Sequence, residues 1–153
     1  MFGAKMEYEG YNFPDELRYH VEHCWAKVEG ELVVVGLTEF VIVQAGDIVH
    51  IKSLEVGDEV EKDKQFASIE TGKYVGKLYS PISGVIEGVN EEVLDEPMLI
   101  GESPYDKGWI IKVKPNDISE MENLMSVKEI PEYIGKKIAE LKEKNLYKEK
   151  KKR

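Results

Sequence analysis

The chain has 153 residues, 42% hydrophobic and 33% charged, a composition typical of one folded domain with its own core. Its formal net charge is −9; residues 136–153 hold nine Lys/Arg and three Glu, so residues 1–135 carry −15. An acidic surface repels nucleic-acid phosphates, which argues against nucleic-acid binding and favours protein partners with basic docking faces.

Membrane and secretory segments are not expected. No apolar run approaches the ~18 residues of a transmembrane helix. The first ten residues lack the basic and apolar regions of a secretory signal, so we expect a cytoplasmic protein. The single cysteine, Cys24, excludes an intrachain disulfide and any CxxC site.

Residues 1–13 are predicted to form a polar N-terminal extension. From Pro14 to about Val113, short apolar segments separated by Gly and Pro predict a β-rich domain. Within it, residues 41–43 are apolar and end at a Gly-Asp break, and residues 55–58 predict a turn with Gly57 at positive φ. The predicted strands are Glu31–Val35, Ile48–Ile51, Gln65–Ile69, Val75–Tyr79, Val85–Val89 and Trp109–Val113.

The C-terminal part changes from a strand period to a helical one. Ser119 with Glu122 has the spacing of a capping box, and Pro131 is predicted to begin a second helix. The apolar face of that helix is Ile134, Ile138 and Leu141. Residues 136–153 are predicted to be a basic helical extension that frays at its end, which leaves residues 14–135 as the main domain.

Lys73 lies between two predicted strands, with Gly72 beside it and Glu70 three residues before it. This pattern predicts a single primary amine on a hairpin tip, a position that suits a covalently attached prosthetic group better than catalysis. Two glycine-containing segments, Gly57–Val60 and Gly84–Glu87, bracket the lysine. Two similar halves that meet at a hairpin indicate a mainly β fold, a small flattened barrel or sandwich with C-terminal helices.

Several segments, in order along the chain, resemble the glycine cleavage H-protein family within the wider lipoyl-domain group. The resemblance covers roughly Pro14 to Tyr133. The matching segments are Tyr19–Trp25, Val35–Phe40, Gly46–Val49, Val56–Val60, Leu78–Gly84, Val89–Asn90, Pro104–Trp109 and Ile118–Leu124.

The resemblance implies a lipoyl-domain-like fold with lipoate amide-linked to Lys73. It also implies that Glu70 helps a lipoate-attaching enzyme to recognise the tip. Carriers of this family take an aminomethyl group from glycine decarboxylase, deliver it to an aminomethyltransferase, and are reoxidised by lipoamide dehydrogenase. The implied protein is therefore a non-catalytic carrier.

The tip departs from the family pattern Glu-Ser-Val-Lys-Ala, because Gly72 replaces valine and Tyr74 replaces alanine. Cys24 stands where the family commonly has glutamate. Two alternatives stay open. The first is an H-like lipoate-binding protein that carries sulfur for a heterodisulfide-reductase-like system, with Cys24 in thiol exchange. The second is an interaction module in which Lys73 is never modified.

Other residues have simpler interpretations. His20, His23 and Cys24 are ligand types but lack a fourth ligand and an established spacing, so no metal site is predicted. Gly57, Gly72 and Gly84 are interpreted as structural turn residues. No nucleophile–base pair indicates a stand-alone enzyme.

Overall fold

The computed structural model describes residues 4–150, which form a mainly β structure with helices concentrated in the second half. Eleven strands lie in this range: β1 (Lys5–Tyr8), β2 (Tyr11–Pro14), β3 (Arg18–Tyr19), β4 (Cys24–Glu29), β5 (Leu32–Leu37), β6 (Ile48–Ser53), β7 (Glu59–Val60), β8 (Gln65–Thr71), β9 (Val75–Tyr79), β10 (Gly84–Val89) and β11 (Ile111–Pro115). The α-helices are α1 (Glu39–Ala45), α2 (Glu91–Asp95), α3 (Leu99–Glu102) and α4 (Ile130–Glu143).

The described strands form three antiparallel sheets. The largest has the order β3-β4-β5-β11-β10-β7, the second β6-β8-β9, and the third is the β1-β2 hairpin. The prediction of a mainly β, lipoyl-domain-like fold with C-terminal helices is confirmed. Of the two predicted forms, a flattened barrel or a sandwich, the structure has the sandwich, because the two larger sheets stay open and separate. The two glycine-containing segments that bracket Lys73 become neighbours, because Gly84 pairs with Val60.

Side-chain alternation along β4 and β5 gives the largest sheet a buried surface on both faces. Val33 and Val35 join the core shared with the second sheet, whereas Val34 faces the opposite way. In the same manner Cys24 joins the first core and Trp25 the second. The second core is rich in aromatic rings and is closed by the β1-β2 hairpin and α4.

Helix α4 follows the sequence prediction closely. It has Pro131 in its first turn, and Ile134 and Ile138 are buried on one face. Leu141 packs against the same core while partly exposed. A period of four residues thus places one apolar stripe against the sheet, as expected for an amphipathic helix.

Two local predictions in the second half are corrected. The segment Ile118–Asn123 is a 3₁₀ helix capped by Asp117, whose carboxylate accepts the Ser119 N–H, so Ser119 is not the N-cap. A capping box does occur, but between Ser126 and Glu129 just before α4. Ser119 with Glu122 and Ser126 with Glu129 both have the capping-box spacing. At the first position Asp117, two residues before Ser119, accepts the exposed N–H instead and caps the helix.

The apolar run at residues 41–43 lies in α1, although it stands in a stretch expected to be β-rich. The Thr38 hydroxyl accepts the Val41 N–H at 3.4 Å and begins the helix, and Gly46 at φ +87° ends it. β-Branched residues favour strands, but the caps at both ends and burial of Phe40 and Ala45 outweigh that preference here.

The two ends of the described chain are joined by a set of contacts that we call the terminal clasp: Tyr11, Gln44, Tyr147 and Lys148. The Tyr11 and Tyr147 hydroxyl oxygens lie 3.0 Å apart. The Gln44 side chain donates to the Lys148 carbonyl at 2.8 Å and accepts the Lys148 N–H at 3.0 Å. Desolvation raises the pKa of the Tyr11 phenol, as expected for a fully buried residue.

The terminal clasp changes two expectations about the chain ends. The predicted polar extension over residues 1–13 contains a hairpin whose Tyr11 and Phe13 are fully buried. The tail expected to fray from Lys148 onwards is hydrogen-bonded at Lys148; residues 1–3 and 151–153 lie outside the described range. Aromatic side chains that find distant partners explain both differences.

Candidate functional site

Lys73 lies at the exposed tip of the β8-β9 hairpin. The two strands are paired up to Glu70 and Val75, and Lys73 stands in the turn between them. Gln65–Ile69 and Val75–Tyr79, predicted as the flanking strands, are confirmed. The hairpin therefore presents one solvent-exposed primary amine at its end.

The Thr71 side chain fixes the turn around Lys73. Its hydroxyl oxygen accepts the Lys73 N–H at 3.3 Å and the Tyr74 N–H at 3.4 Å, while its own N–H donates to the Tyr74 carbonyl at 3.0 Å. These contacts define the main chain on both sides of Lys73, whose side chain is exposed. The sequence interpretation gave Thr71 no role, although threonine commonly holds turns in this way.

Gly72 and Tyr74 are accommodated differently at the tip. A Cβ added at Gly72 would have no atom within 4 Å, and Gly72 has no positive φ, so the turn does not require glycine there. The Tyr74 ring lies over Gly76: a Cβ on Gly76 would be 3.5 Å from Tyr74 Cε2 and 3.4 Å from Ile69 Cγ1. The Tyr74 ring therefore packs beside Gly76 at a distance that would also admit a Cβ there.

Glu70 lies at the end of β8 with its side chain exposed. It pairs with Val75 in β9 and with His50 in β6, so its carboxylate is on the outer face of the hairpin, one residue before the Thr71 turn. An exposed carboxylate beside the tip is available to a partner that handles Lys73.

Gly57 and Gly84, two of the three glycines assigned structural roles, meet different requirements. Gly57 has φ +94° in the turn before β7, and its N–H donates to the Ile86 carbonyl at 2.8 Å. Gly84 is instead the first residue of β10, where a Cβ would overlap the Lys114 carbonyl oxygen of β11. Glycine is therefore required at Gly57 by conformation and at Gly84 by close approach of two strands.

Cys24 is fully buried in the core between the two larger sheets. Desolvation raises the pKa of its thiol to about 12, and a backbone hydrogen bond with Tyr79 opposes this shift only in part. A buried, protonated thiol is a poor nucleophile. The structure therefore does not support the thiol-exchange role considered for Cys24.

His20 and His23 point to different partners, so the run from His20 to Cys24 is not one site. The His20 Nδ1 accepts the Glu22 N–H at 3.0 Å, which leaves the Nε2 proton to be donated to Asp63 at 2.5 Å. His23 lies against Tyr133, and burial lowers the pKa of its imidazole to about 4. In residues 4–150 no group of three or more His, Cys, Asp or Glu side chains is placed to hold a metal ion.

Comparison with known proteins gives one consistent result. The family model described as glycine cleavage H-protein matches residues 17–137. The glycine cleavage system H protein of Halalkalibacterium halodurans is 50% identical over 124 residues, 81% of this chain and 97% of the relative. That of Geobacillus kaustophilus is 48% identical over 124 residues, 81% and 98% of the two chains.

A solved structure agrees with these sequence matches. The crystal structure of a glycine cleavage system H protein from Mycobacterium marinum superposes with a TM-score of 0.72 at 30% identity, covering 82% of this chain and 98% of that one. An open β-sandwich that presents one lysine on a hairpin tip is a lipoyl-domain-like carrier fold. Within that class, the chain belongs to the glycine cleavage H-protein family.

The matched region leaves out two of the three parts of the chain that meet in the terminal clasp; Gln44 lies within it. The β1-β2 hairpin precedes residue 17, and the end of α4 and the tail follow residue 137. The described helices include none long and apolar enough to cross a bilayer.

Proposed function

We propose that this protein is the lipoyl carrier of a glycine cleavage system and that lipoate is attached to Lys73 through an amide. The observation that supports this most directly is the exposed Lys73 amine on a hairpin tip in a chain of the H-protein family. Lipoate, when bound, would supply a dithiol/disulfide couple for group transfer and reduction. The chain's own contribution is presentation of the amine, because Thr71 orders the turn without contacting the lysine side chain.

The residues around the tip fit this role. Gly72 leaves the space beside Lys73 open, and the Glu70 carboxylate is exposed on the same hairpin. We propose that Glu70 is read by the lipoate-attaching enzyme. Attachment removes the lysine charge, and a tethered group meets each docked partner at high effective concentration.

We infer the partners from the family: glycine decarboxylase, an aminomethyltransferase and lipoamide dehydrogenase, working together in the cytoplasm. The acidic body, −15 over residues 1–135, favours partners with basic docking faces. We also propose residues 14–135 as the carrier domain, a division supported by the family match to residues 17–137. The carrier itself performs no chemistry in this scheme.

The proposal is tested by loading the full chain with lipoate and a lipoate-attaching enzyme, followed by intact and peptide mass spectrometry. We expect one lipoyl increment per chain, located on Lys73. The Lys73→Arg variant should gain none, whereas Lys77→Arg, which removes another exposed lysine from the same hairpin, should load fully. An unmodified Lys73 under conditions that load another lipoyl protein would leave the interaction module as the better account.

The nature of the cargo is tested next by reconstitution with the three glycine cleavage enzymes. Loaded protein should support glycine-dependent reduction of the dehydrogenase, and unloaded protein should not. Full loading without any glycine-dependent turnover would favour the sulfur-carrying alternative, which the burial of Cys24 does not support.

A further inference from the structure

Tyr74, the residue after Lys73, packs part of its ring against the hairpin and exposes the rest to solvent. Its ring lies over Gly76 beside Ile69, which is only 3% exposed, yet 47% of Tyr74 remains exposed. β9 is at the edge of its sheet, so the described residues add no further strand beyond Gly76. The ring therefore forms a small apolar surface at the open edge of the hairpin tip.

This surface is fixed relative to Lys73. The Thr71 hydroxyl binds the N–H groups of both Lys73 and Tyr74, so the two residues share one ordered turn. The ring packs beside Gly76, where a Cβ would lie at an ordinary contact distance of 3.5 Å from Tyr74 Cε2. The ring, the turn and the lysine main chain thus behave as one unit.

Resting on the proposed function, we propose that Tyr74 is a positioning residue for the acylated Lys73: its exposed ring face receives the apolar acyl chain and its terminal sulfurs. A free lysine ammonium keeps its head in water. After amide formation the arm is uncharged, and its methylene groups and sulfurs gain from contact with an aromatic ring. Because the arm is tethered one residue away, the contact forms without the entropic cost of a separate binding partner.

The proposal is specific to the face of the hairpin on which Tyr74 lies. Side chains alternate along β9, so Val75 lies on the face opposite to Tyr74 and Gly76. Val75 is 62% exposed and is also adjacent to the tip. It therefore serves as a control that lies on the other face of the hairpin, one residue further from Lys73 than Tyr74.

The first experiment uses the wild-type chain alone. Full loading is confirmed by mass spectrometry, and ring-proton shifts and NOEs of Tyr74 are compared in the loaded and unloaded protein. We expect NOEs between the Tyr74 ring and the lipoyl methylenes. A loaded protein with no such NOEs overturns the inference while leaving the carrier function intact, whereas failure to load overturns the proposed function instead.

The second experiment measures the rate at which a small phosphine reduces the lipoyl disulfide in fully loaded protein. We expect Tyr74→Ala to be reduced about 2- to 10-fold faster than wild type, the range expected for losing one sulfur–aromatic contact. Tyr74→Phe and Val75→Ala should match wild type. Equal rates in all four proteins, or acceleration in Val75→Ala in place of Tyr74→Ala, would contradict the assignment of this face.

Discussion

The burial of Cys24 predicts that its thiol is almost unreactive in the native protein. Raising the pKa from 9.0 to about 12 lowers the thiolate fraction at pH 7 from about 1% to about 10⁻⁵, roughly a thousandfold. The side chain is also 0% exposed, so a reagent must wait for the core to open. With an opening free energy of about 5 kcal/mol, reaction through the open state, in which the thiol regains its ordinary pKa, is slowed about 10³- to 10⁴-fold.

A chromogenic disulfide reagent tests this directly. We expect Cys24 in native protein to be labelled at least about a thousandfold more slowly than in protein unfolded by guanidinium, since low ionisation in the closed state and rare opening of the core each slow the reaction by about that factor. The rate should rise with denaturant in step with unfolding. Native labelling within tenfold of the unfolded rate would show an accessible, ionisable thiol, and the reasoning from burial would be refuted.

Three further predictions concern stability. Gly84→Ala should lower the free energy of unfolding by at least about 3 kcal/mol in denaturant unfolding, since its Cβ would overlap a main-chain oxygen. Gly88→Ala, whose Cβ would make ordinary contacts from 3.5 Å, should change that free energy by less than about 1 kcal/mol. Equal effects of the two substitutions would disprove the steric argument. In the folded protein the pKa of His23 is about 4, below its unfolded value of 6.5, because the fold holds the imidazole neutral. The contribution of His23 to the free energy of unfolding is therefore complete above pH 6.5 and is lost as pH falls towards 4, by at most about 3 kcal/mol. His23→Asn, which tolerates the φ of +80°, should flatten that part of the stability–pH curve, and an unchanged slope would assign it to other groups. Gln44→Ala should lower the free energy of unfolding by about 1 to 3 kcal/mol and should speed hydrogen exchange at the Lys148 amide. Unchanged exchange at Lys148 would show that the terminal clasp does not hold the tail in solution.

Short-range patterns were the predictable part of this structure. The strands around Lys73, the positive φ of Gly57 and the helix from Pro131 each depend on neighbouring residues, and each is confirmed. The exposed tip followed from two of these strands and the glycine beside the lysine.

Features that depend on distant residues could not be predicted in the same way. Tyr11 looks like a polar-segment residue until Tyr147, 136 positions away, covers it. The packing of the Tyr74 ring beside Gly76 and Ile69 exists only once the two strands of the hairpin pair. The burial of Cys24 likewise follows from the register of β4 on β5, which a single sequence does not specify.

The terminal clasp also has a consequence for the order in which the protein can be made. The β1-β2 hairpin leaves the ribosome first, but Tyr11 acquires its partners Tyr147 and Lys148 only when nearly the whole chain has been translated. Contacts at this sequence separation form late and slowly. Until then Tyr11 and Phe13 can pack against Phe40 and Tyr19, but the part of their core that α4 and the tail cover stays open. A ribosome that stalls before residue 147 would therefore display this apolar surface for chaperones to bind.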